Sequence, residues 1–178
     1  MFEWFSSQIV YLETDFADRF RKIMGEYFST KKSQYHYISM AEGNYREYLK
    51  NEMVRAKKYF YVLRPVLACR WILEKATPPP MLFRELMESE LPKELVPEVE
   101  KLLDLKMNSP EIKEIPRVDK INEYLNESIE EIKFKLKSVG ENKEVQWEEL
   151  NKVFLEEIQI AKDRRKDFIE RVMKNENI

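Results

Sequence analysis

Four side chains with anion-binding chemistry fall close together in this sequence: Lys57, Lys58, Tyr61 and Arg64. A guanidinium can donate two parallel hydrogen bonds to a phosphate, and an ammonium supplies a compact positive charge. On a helix, Tyr61 would lie one turn from both Lys57 and Arg64, where its ring could stack on a base or its hydroxyl could donate to a phosphate. This pattern is typical of a site for a small phosphate-bearing ligand. The alternative is that the cations extend along apolar surface or pair with acids of neighbouring helices.

The segment that carries these residues, 57–73, reads as one helix that is apolar almost all the way round. At 100° per residue, positions 57, 61, 64, 68 and 71 share one stripe about 80° wide, and the other directions carry mainly Val, Leu, Ile and Cys. Such a helix is normally buried, and a buried cation is costly unless an anion pairs with it. The helix should therefore hold internal ion pairs or present its cations to an anionic ligand in a cleft.

Three further residues bear on this site. Pro65 lies inside the helix, has no N–H, and therefore leaves the carbonyl near Tyr61 without its helical partner. Gly43 lies inside the preceding helix, where glycine costs about 1 kcal/mol relative to alanine, and close helix packing is the commoner reason for such a residue. Asn44 is the fifth candidate ligand residue, on the hypothesis that it faces the same space as Arg64.

Other chemistries find little support in the sequence. His36 is the only histidine and has no paired acid or nucleophile in sequence reach, which favours a surface or structural role. With one histidine and one cysteine a zinc site is improbable, and no metal-ligating or catalytic residue is expected. The sequence also lacks a phosphate-loop Gly-Lys-Ser/Thr, a Gly-x-Ser-x-Gly and a Gly-x-Gly.

Composition narrows the class of protein further. The 178 residues carry a net charge of −2, so no global positive field favours DNA, and nucleic acid is not the expected partner. Residues 54–75 nevertheless contain six bases and one acid, whereas residues 81–130 contain thirteen acids and seven bases. The lone Cys69 indicates a reduced, cytoplasmic setting and is expected to be a core residue. No apolar run is long enough to span a membrane.

Helical periodicity dominates the chain and predicts an all-α bundle of about six or seven helices, with a short strand near the N-terminus as the one exception, at Gln8–Leu12. Thr14 is expected to cap a first long helix, and Ser29 or Ser33 a second. The central helix should run from about Met53 to Lys75, and the prolines at 78–80 should end it. Shorter helices are expected from Met81 to Met87 and from Pro92 to Met107. Longer ones are expected from Val118 to Ser138, ended by Gly140, and from Trp147 to Val172. Residues 1–12 form an unusually apolar N-terminal segment, and residues 13–178 form the helical domain.

Four sequence blocks together resemble a known family. They are Glu3-Trp4-Phe5-Ser6-Ser7-Gln8-Ile9-Val10-Tyr11, His36 through Arg46, Lys57-Lys58-Tyr59 through Trp71, and Pro78-Pro79-Pro80-Met81-Leu82-Phe83. In this order they look like the second half of predicted nucleotidyltransferases, which are bacterial and phage proteins of the DNA polymerase β superfamily. The resemblance covers roughly residues 1–120.

The resemblance implies a function for the basic helix. In that family an N-terminal α/β domain carries a Gly-Ser turn and an Asp-x-Asp pair whose carboxylates hold Mg²⁺ ions that bind the nucleoside triphosphate. Neither motif occurs in this sequence, so the chain resembles only the C-terminal helical portion, the apolar segment 1–12 resembles the edge of the catalytic domain, and the chain alone is expected to be inactive. The positions that would face the nucleotide are Lys57, Lys58, Tyr61, Arg64 and Asn44. Mg²⁺ and nucleoside triphosphate are cofactors of the complete family member rather than of this chain.

Two other functions stay open. The first is a helical interaction or oligomerisation module that uses the apolar N-terminus to bind a second copy or another chain. The second is a binder of single-stranded nucleic acid that uses the basic, aromatic helix. Whether the chain is an enzyme is not decided by the residues.

Overall fold

The structure is a computed structural model that describes residues 2–108, 114–138 and 147–175. The helices are α1 (Phe2–Phe5), α2 (Asp15–Met24), α3 (Thr30–Tyr48), α4 (Ala56–Lys75), α5 (Phe83–Glu90), α6 (Val96–Asn108), α7 (Asp119–Leu136) and α8 (Glu148–Asn175). Short strands β1 (Met53–Arg55) and β2 (Glu114–Pro116) accompany them. The all-α bundle is confirmed, with seven helices of eight residues or more in the described part of the chain.

The chain divides into two compact units. The first comprises residues 1–8 and 28–142, and the second comprises residues 9–27 and 143–178. The boundary after residue 12 that the sequence suggested does not coincide with this division, and it stays a prediction.

Helix α4 is the centre of the first unit, and α3, α5, α6 and α7 pack around it. The side chains of Val62, Leu63, Val66, Leu67 and Cys69 are fully buried, because α4 is apolar in nearly every direction. The predicted central helix is therefore confirmed as the core of this unit. Burial raises the pKa of the Cys69 thiol to about 12, as expected for a core cysteine.

The helix ends follow the sequence signals closely. Thr14 accepts a hydrogen bond from the N–H of Ala17 at 3.3 Å, which confirms the first predicted cap. Ser29 accepts one from the N–H of Lys32 at 3.2 Å, so Ser29 rather than Ser33 caps α3. Helix α4 ends at Ala76, whose φ of 52° is left-handed. Gly140, the predicted end of α7, lies outside the described residues.

Two predicted helix starts were wrong. Helix α6 begins at Val96 rather than Pro92, after a 3₁₀ turn at Lys93–Leu95. Helix α4 begins at Ala56 rather than Met53, because Met53–Arg55 pairs in antiparallel register with Glu114–Pro116. The two-stranded sheet lies here, whereas residues 8–12 contain no strand.

A buried polar network joins three elements next to this sheet. The Tyr59 hydroxyl donates to Asn122 Oδ1 at 2.9 Å and accepts from the N–H of Val118 at 2.8 Å. Asn122 Nδ2 donates to the Leu49 carbonyl at 2.6 Å. The end of α3, the start of α4 and the start of α7 are therefore fixed relative to one another, which holds the basic part of α4 in place.

In the second unit, α2 lies alongside the first half of α8. The Arg19 guanidinium pairs with the Glu157 carboxylate, and the Tyr27 hydroxyl accepts from the N–H of Leu150 at 3.2 Å. The Tyr27 and Trp147 rings contact each other with centroids 6.1 Å apart. Helices α2 and α8 therefore run in opposite directions, and the C-terminal half of α8 extends beyond α2.

None of the helices in the described residues has the length and apolar character that crossing a membrane requires. The apolar N-terminal segment has large exposed side chains, among them Trp4, Ile9, Val10, Tyr11 and Leu12.

Candidate functional site

The candidate site lies on the first half of α4, around Tyr61. Tyr61 is 46% exposed although its neighbours Phe60 and Val62 are buried. Lys57, Lys58 and Arg64 are half-buried. On the stripe that the sequence predicted, Tyr61 is therefore exposed, Lys57 and Arg64 are half-buried and Ala68 is fully buried. The role of these residues in binding a ligand stays a prediction.

Lys58 is held by aromatic rings. Its Nζ lies 3.5 Å from the centroid of the Tyr48 ring and 4.7 Å from that of the Tyr61 ring. The negative faces of the rings attract the ammonium, and such a contact is worth about 0.5–2 kcal/mol depending on its desolvation. Tyr48 lies at the end of α3, and only the packing of α3 on α4 brings it to Lys58.

Asn44 reaches the same helix, but through the backbone. Its Nδ2 donates to the carbonyl of Tyr61 at 3.2 Å and to the carbonyl of Met40 at 2.9 Å. Tyr61 is four residues before Pro65, so its carbonyl has no helical N–H partner. Asn44 therefore supplies the hydrogen bond that Pro65 removes, and its amide group is oriented by that bond.

Arg64 contacts the proline segment that follows α4. Its Nη2 donates to the carbonyl of Pro80 at 3.3 Å. Lys57 and Arg64 lie on the same stripe, on either side of Tyr61. The structure thus brings Asn44, Lys58 and Tyr61 together, and it places Arg64 one turn further along α4, next to Pro80.

Gly43 has no packing role in the structure. A Cβ atom built on it would meet no atom within 4 Å, which overturns the expectation of close helix packing. The glycine instead leaves open space beside Asn44.

Lys58 also lines a cavity of about 420 Å³ between the end of α3 and the sheet. Its charged lining residues are Arg55, Lys58, Glu47 and Glu114, with the ring of Tyr48 beside them. This volume lies within the range of small-molecule sites, about 300–1,000 Å³. Sequence reasoning missed the cavity because β1 and β2 are far apart in the chain, and their pairing brings Glu114 next to Arg55.

The other cations of α4 are structural. Arg70 donates to Ser128 Oγ at 3.1 Å and to the Glu131 carboxylate at 2.8 Å. Lys75 Nζ donates to the Glu90 carboxylate at 2.7 Å, and this hydrogen bond raises the pKa of Lys75. The cations in the second half of α4 therefore form ion pairs with acids of neighbouring helices, which is one of the two interpretations that the sequence left open.

Two further sequence expectations concern His36 and metal binding. His36 is exposed, and its ring meets the Tyr37 ring edge-on at 5.5 Å. The described residues include no group of three His, Cys, Asp or Glu side chains placed to hold a metal ion. The five candidate residues carry cationic and neutral groups, whereas Mg²⁺ is bound by carboxylate oxygens, so these residues do not fit Mg²⁺.

The geometry defines a class of protein, an all-α helical domain whose central helix carries cationic and aromatic side chains on part of its surface. A family model described as "RNA repair pathway DNA polymerase beta family" (RlaP) matches residues 1–156. The chain belongs to this family. The resemblance to the DNA polymerase β superfamily is thereby confirmed, whereas the restriction to a C-terminal portion stays a prediction.

A curated relative is longer than this chain. The "Uncharacterized protein YcgL" of Bacillus subtilis (strain 168) is 40% identical over 161 residues, which are 89% of this chain and 62% of the relative. The chain therefore spans less than two thirds of that relative's length. No solved structure shows significant similarity to the present chain.

Proposed function

We propose that this chain provides the helical, nucleotide-facing part of a nucleotidyltransferase that acts in RNA repair. Lys57, Lys58, Tyr61 and Arg64 would bind the phosphates and base of a nucleotide, with Asn44 beside them. The observation that carries the proposal is the exposed Tyr61 with half-buried cations beside it, on a helix that is the centre of the core. Membership of the RNA repair pathway DNA polymerase beta family supports a nucleotide as the ligand.

The contacts within the stripe suit this role. The tyrosine rings position Lys58 without neutralising its charge, so the ammonium can still attract a phosphate. The exposed ring of Tyr61 offers a face for a base, and base–aromatic stacking is worth about 1–3 kcal/mol. The Lys58 side chain, which lies beside the stripe, is therefore preorganised, which lowers the cost of ordering it when a ligand binds.

Catalysis by these 178 residues alone is not part of the proposal. Two-metal phosphoryl transfer needs closely spaced carboxylates, and the sequence contains neither Asp-x-Asp nor Gly-Ser. We expect no transfer of labelled nucleotide from any ribonucleoside triphosphate with Mg²⁺ or Mn²⁺. Reproducible transfer that Arg64→Ala abolishes would contradict this expectation.

Nucleotide binding tests the stripe directly. We expect titration calorimetry or NMR to show binding in the millimolar to high micromolar range. Loss of a charge-assisted hydrogen bond costs about 1.5–3 kcal/mol, so Arg64→Ala should weaken binding more than tenfold. Lys101→Ala is the matched control, because Lys101 is an exposed lysine of the same unit that pairs with Glu98. Absence of binding by the parent protein, or a collapse of the melting temperature in Arg64→Ala, would assign the stripe a structural role.

Two further titrations define the extent of the site. Arg55→Ala should weaken nucleotide binding as strongly as Arg64→Ala if the nucleotide extends into the cavity beside Lys58, and should have little effect otherwise. Titration with single-stranded RNA oligonucleotides distinguishes a mononucleotide pocket from a groove that binds single-stranded nucleic acid. A groove predicts affinity that rises with oligonucleotide length and falls steeply with salt concentration. A mononucleotide pocket predicts neither.

A further inference from the structure

Helix α8 carries an apolar stripe that the rest of its unit covers only in part. Five side chains of α8 point in nearly the same direction: Leu150, Phe154, Ala161, Phe168 and Val172. The other four lie 7 or 11 residues from Ala161, and on an α-helix either spacing returns to within about 20° of the direction of Ala161. Phe154 and Phe168 are 63% and 67% exposed. Large exposed apolar side chains at helical spacing mark an interaction surface.

The stripe is symmetric about its middle. Leu150 and Val172 lie equally far from Ala161, and so do Phe154 and Phe168. A two-fold axis through Ala161 would therefore place Phe168 of one copy beside Phe154 of an antiparallel second copy, and Val172 beside Leu150. The small side chain at residue 161 would let the two helices approach closely where they cross.

Charge selects the same orientation. Residues 148–157 contain four glutamates and one lysine, whereas residues 162–172 contain five basic and three acidic residues. Antiparallel pairing brings the acidic half of each helix to the basic half of the other, and parallel pairing brings like charges together. The stripe thus fits a second copy of the same helix better than it fits a uniformly charged partner.

The second unit also has space for the incoming side chains. A cavity of about 480 Å³ lies between α2 and the first half of α8, and Phe16, Phe154, Ile158 and Ala161 supply apolar lining. The second half of α8 extends beyond α2, so its Phe168 and Val172 are available to enter this cavity in the other copy. The family match ends at residue 156, before this second half begins.

We propose that the chain forms a two-fold symmetric dimer in which two α8 helices pair antiparallel about Ala161. Such an interface is isologous, with the same stripe on both copies, and therefore closes without forming filaments. It differs from association through the apolar N-terminus, which uses other residues.

Sedimentation equilibrium or light scattering on the full chain tests the dimer. We expect a mass of two 21.6 kDa chains at micromolar concentration for the parent. Phe168→Glu and Val172→Glu should each shift the protein to monomer at the same concentration. Phe134→Glu is the matched control, because Phe134 is 74% exposed on α7 of the first unit, and it should leave the mass unchanged. Circular dichroism checks that each variant is folded.

Disulfide cross-linking tests the orientation. Ala161→Cys should cross-link to itself under mild oxidation, because the axis brings the two copies of residue 161 together. Val172→Cys should not, because two-fold antiparallel helices separate its copies by about 22 residues of rise, roughly 33 Å. The parent is the background control, since its Cys69 is buried. A monomeric parent, a dimer that Phe168→Glu leaves intact, a dimer that Trp4→Glu alone disrupts, or self-cross-linking at residue 172 would each overturn the proposal.

Discussion

The carbonyl of Tyr61 offers the sharpest test of how the basic part of α4 is built. Pro65 removes its helical partner, and Asn44 Nδ2 replaces that partner at 3.2 Å. Asn44→Ala should therefore destabilise the protein, whereas Pro65→Ala should restore a backbone N–H to the same carbonyl. In the Pro65→Ala background, the side chain of Asn44 has less to contribute.

The expected magnitude follows from the hydrogen bond. A net intramolecular hydrogen bond contributes about 0.5–1.5 kcal/mol, and Asn44 is only half-buried, so water can partly replace it. The carbonyl of Met40, the second acceptor, is also the helical acceptor for the N–H of Asn44 itself. We expect Asn44→Ala to cost about 1 kcal/mol in the parent, or roughly 2–4 °C in melting temperature. In Pro65→Ala the same substitution should cost close to zero.

A double-mutant cycle measured by urea unfolding is the appropriate assay, because it isolates the coupling from the separate effect of losing the buried proline ring. Asn126→Ala, at an exposed asparagine of α7, provides a control that should be additive with Pro65→Ala. Additivity of Asn44→Ala and Pro65→Ala within about 0.3 kcal/mol would refute the reasoning. If Asn44→Ala instead left stability unchanged and weakened nucleotide binding, Asn44 would be a ligand residue and not a structural one.

Three other outcomes follow from the described contacts. Gly43→Ala should raise stability by about 1 kcal/mol in thermal unfolding, since the added methyl meets open space, and a loss of stability would contradict that geometry. Asn122→Ala should lower the free energy of unfolding by about 1–3 kcal/mol, because it removes the donor to the Leu49 carbonyl and the acceptor of the Tyr59 hydroxyl, and a neutral result would show that water replaces the amide. Burial raises the pKa of the Cys69 thiol to about 12 in the folded state. Its contribution to stability should therefore be complete below pH 9 and fall as the pH rises towards 12. The buried thiol should also resist thiol reagents in the native protein, and rapid labelling at pH 8 would contradict this.

The sequence predicted best where one strong local pattern decided the structure. The apolar character of α4 predicted its burial, and Thr14 and Ser29 identified two helix starts. Pro65 also showed that a carbonyl near Tyr61 would lack its partner. Which donor would replace that partner was beyond local reasoning, since Asn44 reaches it only through the packing of α3 on α4.

The sequence predicted least where distant segments meet. Met53–Arg55 continues the helical pattern of α4, but pairing with Glu114–Pro116 keeps it extended. The same pairing forms the cavity that Lys58 lines. The position of Tyr48 against Lys58 likewise depends on tertiary packing, so this aromatic partner of Lys58 could not be predicted from spacing.

The two halves of α4 show why charge pattern alone cannot distinguish a binding surface from a structural ion pair. Lys58 and Lys75 are both half-buried lysines of one helix, and each contacts an aromatic ring. Lys75 also donates to the carboxylate of Glu90, whose side chain is only 4% exposed, so its charge is neutralised within the fold. In the described part of the chain, Lys58 contacts the faces of the Tyr48 and Tyr61 rings, which orient a cation but do not cancel its charge. A cation that is positioned yet not neutralised is what recognition of an anion requires, and for this reason the first half of α4, and not the second, carries the proposed nucleotide site.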